Sequence, residues 1–137
     1  MNISLQSSPI NVTDIDAAVG FYRDVLGLEI TLDVSYEGNR WVTLGLAGQP
    51  GLGLVLFETD AGRSPEDGEA LARLVAKGAM PPVILTTPDL DAVYRKVLDS
   101  GVDVLEEPTQ KEWGPRDFGL RDPSGNMLRI AEAPAAA

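Results

Sequence analysis

Over residues 14–27 the apolar side chains Ile15, Val19, Tyr22 and Leu26 recur at i, i+4, i+7 and i+11, which is one stripe along a helix. Thr13 or Asp14 supplies a cap for its first turn, Asp16 stands where a capping-box partner would, and Gly27 ends it. Elsewhere the period shortens to two. Val42, Leu44 and Leu46 alternate with Thr43 and Gly45, the mark of a strand with one buried face. The pattern predicts strands over 3–12 (irregular near Pro9), 28–34, 40–46 and 52–59, the last apolar on both faces in its middle and therefore central. Turns at Gly38-Asn39 and Gly48-Gln49-Pro50-Gly51 separate them. Leu71, Leu74 and Val75 set a short helix within 66–76. The order then restarts: a strand over 81–87, a helix over 89–100 with Leu90, Val93, Val97 and Leu98 on one side, and strands near 102–106, 116–121 and 126–131.

The restart is also visible residue by residue. Asp14-Ile15-Asp16-Ala17-Ala18-Val19 returns as Asp89-Leu90-Asp91-Ala92-Val93-Tyr94, an offset of 75 residues in a chain of 137. Two long units are too few for a solenoid. The chain therefore reads as one β-α-β-β-β module used twice, an α+β fold with pseudo-twofold symmetry. Its expected shape is a cup, an incomplete mixed β-barrel of two curved sheets with helices outside. One domain spans 1–137, with the first module at 1–60, a linker with a short helix at 61–79, the second module at 80–132 and a disordered tail at 133–137. Ligands sit most often where such halves meet.

Composition narrows the chemistry. The chain has no histidine and no cysteine, so imidazole, thiolate and disulfide chemistry are all excluded. A formal net charge of −10 opposes nucleic-acid binding. No run of about 18 apolar residues marks a membrane span, and the first residues carry neither a basic region nor an apolar signal core, so the expected location is cytoplasmic. Gly51-Leu52-Gly53 and Gly45-x-x-Gly48 are not phosphate loops, because they lie at strand junctions and no helix follows them.

The module order, the helix ending Asp24-Val25-Leu26-Gly27-Leu28, and Trp113-Gly114-Pro115-Arg116 leading to Arg121-Asp122-Pro123-Ser124-Gly125-Asn126 resemble the glyoxalase, bleomycin-resistance and extradiol dioxygenase superfamily, also called the vicinal oxygen chelate superfamily. The resemblance covers residues 3–132. It implies that metal-using members place His, Gln or Glu ligands on inward positions of the first, fourth, fifth and eighth strands. Carried onto this chain, those positions hold Ser7, Leu56 (Glu58 if the register shifts by one pleat repeat), Pro82 and Arg129. Such a set cannot bind a divalent ion, which wants imidazole or carboxylate. The expectation is therefore no metal and no cofactor.

The ligand-binding candidates are Ser7, Trp41, Leu56, Glu58, Trp113, Arg116 and Arg129. Glu58 is the best placed general base, sharing a strand face with Leu54 and Leu56. Arg129, if it points inward, needs an anionic partner: Glu58, another acid, or the ligand. Trp41 and Trp113 offer stacking surfaces for a flat or cationic guest. The resemblance implies a metal-independent protein of the bleomycin-resistance type. Such a protein binds or sequesters a bulky natural product such as an antibiotic, in clefts between the subunits of a homodimer. The alternative is an enzyme of the superfamily (lyase, isomerase or dioxygenase-like) acting on a small polar metabolite, and a partner-binding accessory domain is a third reading. The sequence leaves open whether any reaction is catalysed.

Overall fold

The computed structural model describes residues 1–134. The chain forms, in order, β1 (Ser7–Val12), α1 (Ile15–Val19) continued by a π-helical stretch (Gly20–Val25), β2 (Glu29–Tyr36), β3 (Asn39–Gly45), β4 (Gly53–Glu58), α2 (Pro65–Ala76), β5 (Val83–Thr87), α3 (Leu90–Ser100), β6 (Asp117–Arg121) and β7 (Met127–Glu132). Two separate open sheets result, of order β1-β4-β3-β2 and β5-β7-β6. In each, the strand before the helix pairs in parallel with the last strand of its half: β1 with β4 and β5 with β7. The remaining pairs are antiparallel. This is an α+β fold with two mixed sheets, neither of them closed.

The helix ends follow from local chemistry. Asp14 caps α1, its carboxylate accepting from the backbone N–H of Asp16 and Ala17. Asp16 does not close a capping box; its carboxylate accepts from Arg40 Nη1 at 2.8 Å instead. The wide π stretch, in which Leu26 N–H reaches back to Phe21 O at 3.1 Å, swings Tyr22 fully into the interior. Ser64 caps α2 with Pro65 in the first turn, and Asp89 caps α3, which ends at Gly101 with φ of 84°.

The core joins both halves. Val42, Leu44, Leu54 and Leu56 from one sheet meet Phe118, Leu120, Leu128 and Ile130 from the other, with Ile15, Phe21, Tyr22, Leu90 and Val97 from the helices. Polar ties cross the same seam. Thr13 N–H donates to Ser124 Oγ at 2.9 Å, Asn126 Nδ2 to Asn11 O at 2.7 Å, and the Tyr22 hydroxyl to Asp122 Oδ2 at 2.8 Å. The turn 122–126 is thus the peg that fixes one half against the other.

Three expectations need correction. Four strands per half were expected, but the second sheet has three. The segment 102–106 touches β6 only through a bridge at Val104–Leu120. Only Asp103 O and Leu105 N–H reach β6, at Arg121 N–H and Gly119 O, 2.8 Å each, so the pairing stays a single bridge. The first strand begins at Ser7 rather than residue 3, and residues 1–6 carry no regular structure. Of the expected disordered tail, Ala133 is held, its N–H donating to Thr87 O at 2.8 Å, whereas 135–137 lie outside the described residues.

Candidate functional site

Strand alternation decides what faces the open side of the first sheet. Val42, Leu44, Leu54 and Leu56 point into the core, so the intervening residues point the other way. Three cross-strand rows follow from the register: Ser7–Gly53–Gly45–Glu29, Pro9–Val55–Thr43–Leu32, and Asn11–Phe57–Trp41–Val34. Most of these residues line a cleft of about 1570 Å³. Its sides are Leu26–Gly27–Leu28, the turn 46–52 and the β5 stretch Ile84–Leu85–Thr86–Thr87. Ligand pockets usually hold roughly 300–1,000 Å³, so this cleft is roomier than most.

The floor is graded. At one end the Trp41 and Phe57 rings lie 6.3 Å apart between centroids, tilted by 33°. At the other the glycine pair leaves bare backbone. A Cβ on Gly53 would stand 2.7 Å from Thr43 Cγ2, and one on Gly45 2.9 Å from Thr31 Cγ2, so this strip is kept flat by its neighbours' methyl groups. Among the described residues, Glu29 is the one ionisable side chain in the lining.

Of the residues singled out from sequence, Ser7 and Trp41 line the cleft together. Leu56 does not; it is wholly buried against Ile10, Val42 and Leu44. Glu58 shares its side of β4 and, at the strand's end, lies outside the cleft lining. The inward-facing pair on β4 is Val55 and Phe57. A strand that is apolar on both faces gives no parity signal, which is why the alternation could not choose. The glycines at 45 and 53 did carry one: glycine inside a strand marks a site of close backbone approach.

The second sheet holds the charged candidates. Arg129 Nε donates to Asp117 Oδ2 at 2.7 Å and its Nη2 to Asp117 Oδ1 at 3.1 Å. The same Nη2 also bonds Glu106, and Lys111 Nζ donates to Glu106 at 2.9 Å and 3.0 Å. Arg129 is therefore partnered by Asp117 and Glu106, not by Glu58. The guanidinium of Arg129, through its hydrogen bonds, holds the Asp117 carboxyl below the usual range, while Lys111 first and Arg129 second do the same for Glu106. This quartet balances its own charge and ties the irregular segment 105–116 to the sheet. Trp113, on that segment, is 83% exposed, with Lys111 Nζ 6.0 Å from its ring centre. Arg116 is fixed by Asp91, in a two-pronged contact of 3.1 Å and 2.9 Å, and by Glu132 at 3.0 Å. None of Trp113, Arg116 and Arg129 lines the cleft in one copy of the chain.

A family model described as the glyoxalase/bleomycin resistance protein/dioxygenase superfamily matches residues 4–130. The chain belongs to that superfamily. Solved structures agree. UcmS2 is similar at 28% identity and a TM-score of 0.87, over 97% of this chain and 100% of that one. TnmS3, described as an antibiotic binding protein from Streptomyces sp. CB03234, is similar at 26% identity and a TM-score of 0.75, over 98% and 99%. A superfamily member from Sphaerobacter thermophilus DSM 20745 shows 27% identity and a TM-score of 0.75, over 96% and 98%. No curated protein sequence matches the chain.

The metal of the superfamily's metalloenzymes does not fit here. Ile84 pairs with Arg129 in the second sheet as Pro9 pairs with Val55 in the first, so the fourth-strand position belongs to Val55. Ser7, Val55, Pro82 and Arg129 offer one hydroxyl, an alkyl group, a proline ring and a cation. No such set holds a divalent ion. Among the described residues no cluster of three or more His, Cys, Asp or Glu side chains is placed to do so either. No helix among them is long and apolar enough to cross a membrane.

Proposed function

We propose that this protein binds and sequesters a bulky, flat natural product of antibiotic type, without covalent chemistry, as a cytoplasmic homodimer whose subunits close the cleft between them. The observation that carries the reading is the cleft itself. It has an aromatic shelf of Trp41 and Phe57, a glycine strip at the other end of the floor with Thr43 between them, polar Ser7 and Gln49 at the margins, and one carboxylate, Glu29. Stacking on such a shelf contributes about 0.5–1.5 kcal/mol beyond the area buried. A lone anionic group favours a neutral or cationic guest. Acid–base catalysis calls for a positioned donor and acceptor, and one carboxylate on an exposed edge strand supplies neither partner nor desolvation. The likeness to TnmS3, an antibiotic binding protein, supports the same reading.

The test titrates Trp fluorescence with a panel of aromatic antibiotics and recovers each ligand afterwards for mass analysis. Binding should be saturable, the ligand should return unaltered, and Trp41→Ala should weaken it at least about tenfold, with little change in the urea midpoint. A chemically converted ligand would establish an enzyme instead. Undiminished affinity in Trp41→Ala would move the site elsewhere.

A further inference from the structure

The two halves treat charge differently on the sides turned away from the core. Beside the second sheet, Arg129, Asp117, Glu106 and Lys111 neutralise one another. On the first sheet Glu29 stands without a counter-ion. No arginine or lysine lines the cleft, and among the described residues no ion pair includes Glu29. A negative charge at a pocket that the chain leaves unbalanced is one that a bound cation can balance.

The place of Glu29 on the sheet sets what that cation is attached to. Glu29 is the cross-strand partner of Gly45, and Gly45 has no side chain to stand between the carboxylate and the cleft. Leu28 and Leu46, next to Glu29 and Gly45 in sequence, line the same end and offer apolar surface to the hydrocarbon of a guest. Trp41, on the aromatic shelf, lies four residues along β3 from Gly45, about 13 Å at the rise of a strand. Thr43 between them, with its row neighbours Val55 and Leu32, brings no charge. From end to end the floor is therefore a ring surface, an uncharged span and an anion.

We propose that the guest is a cationic amphiphile: a flat aromatic body stacked on Trp41 and Phe57, joined through an uncharged span to a protonated amine that meets Glu29 about 13 Å away. The inference rests on the functional reading for the aromatic body, and adds to it the cation and its distance from the ring. Glu29 is exposed, so its part is that of a surface ion pair, modest in affinity and sharp in sign.

The test uses anthraquinone probes with a tether of two or eight carbons that ends in an ammonium, a hydroxyl or a carboxylate. Each is titrated by calorimetry into the native chain, Glu29→Gln, Trp41→Ala and Glu69→Gln. The last is an exposed position on α2 and controls for the overall charge of −10. The eight-carbon ammonium should bind the native chain about fivefold more tightly than the eight-carbon alcohol, the scale of an exposed ion pair, with the carboxylate weakest. Glu29→Gln should abolish that advantage and leave the affinity for the alcohol unchanged, whereas Glu69→Gln should keep it. Equal affinity of ammonium and alcohol for the native chain overturns the proposal and leaves the aromatic site standing. So does an advantage that persists in Glu29→Gln or disappears equally in Glu69→Gln, which would assign it to the overall charge. An advantage as large with the two-carbon tether overturns it too, because the anion would then lie beside the shelf. If no probe binds, or if Trp41→Ala binds them all as tightly as the native chain, the functional reading falls and the proposal falls with it.

Discussion

Replacing Asp122 with alanine empties the acceptor at the centre of the seam between the halves. Its side chain is 4% exposed by residue and takes four hydrogen bonds. Oδ1 accepts from the N–H of Ser124 and of Asn126 at 2.9 Å each, and Oδ2 from the Tyr22 hydroxyl at 2.8 Å and Asn126 Nδ2 at 3.0 Å. Asn126 Nδ2 keeps Asn11 O at 2.7 Å, so three donors are orphaned. A buried donor left without a partner costs about 1–3 kcal/mol. Part of that is offset because a costly buried carboxylate is removed, so the expected loss is about 3–5 kcal/mol, a large share of an ordinary domain's stability. Tyr22→Phe removes one donor and leaves the carboxylate three; it should cost about 1.5–2 kcal/mol. In the double variant no hydroxyl is stranded, so the loss should fall short of the sum by about 1–2 kcal/mol. Urea unfolding of the four proteins, with constant m, measures this. Losses that add to within about 0.5 kcal/mol would show that the two groups do not act through each other. Alkaline pH gives a second reading. Burial first, and Asp122 second, push the Tyr22 phenol well above its ordinary value of 10. The unfolded chain then releases that proton near pH 10 while the folded one keeps it, so stability falls as pH rises beyond about 10. Tyr22→Phe should lack that part of the decline.

The ionic quartet predicts the opposite limb. Asp117 and Glu106 have depressed pKa values in the fold, so their contribution is present above about pH 4 and is lost as pH falls through the folded values. Arg129→Met should lower the urea midpoint at pH 7 and flatten the decline below pH 4; an unchanged acid limb would show the pairs to be without consequence. Gly125 has φ of 106°, and a Cβ there would stand 2.7 Å from the carbonyl oxygens of Val75 and Ala76. Gly125→Ala should therefore cost more than about 2 kcal/mol, read from urea unfolding, and a loss under about 0.5 kcal/mol would contradict the rigid seat of this turn.

Periodicity and capping alone located three helices and most of the strands, because each signal is local. A stripe at i, i+4 and i+7 buries only as a helix, and Asp14, Asp89 and Gly101 act on neighbours a few residues away. The duplicated Asp-aliphatic-Asp-Ala helix start sufficed to show two halves. The residue types at the metal positions, a hydroxyl, an alkyl group, a proline ring and a guanidinium, are likewise legible in the sequence, since a ligand set depends on side-chain chemistry. Tertiary structure decided the rest. Whether Leu56 or Val55 faces the cleft is a matter of strand parity, and a doubly apolar strand conceals parity until its partners fix it. The partners of Arg129 lie 12 and 23 residues away in sequence, Asp117 on β6 and Glu106 on the irregular segment before it. Asp122 accepts from Tyr22, 100 positions distant, and no local pattern encodes a hydrogen bond across that span. The cleft floor is likewise a product of assembly: Trp41, Phe57, Gly45 and Gly53 become one surface only when β3 and β4 pair in the register that sets them side by side.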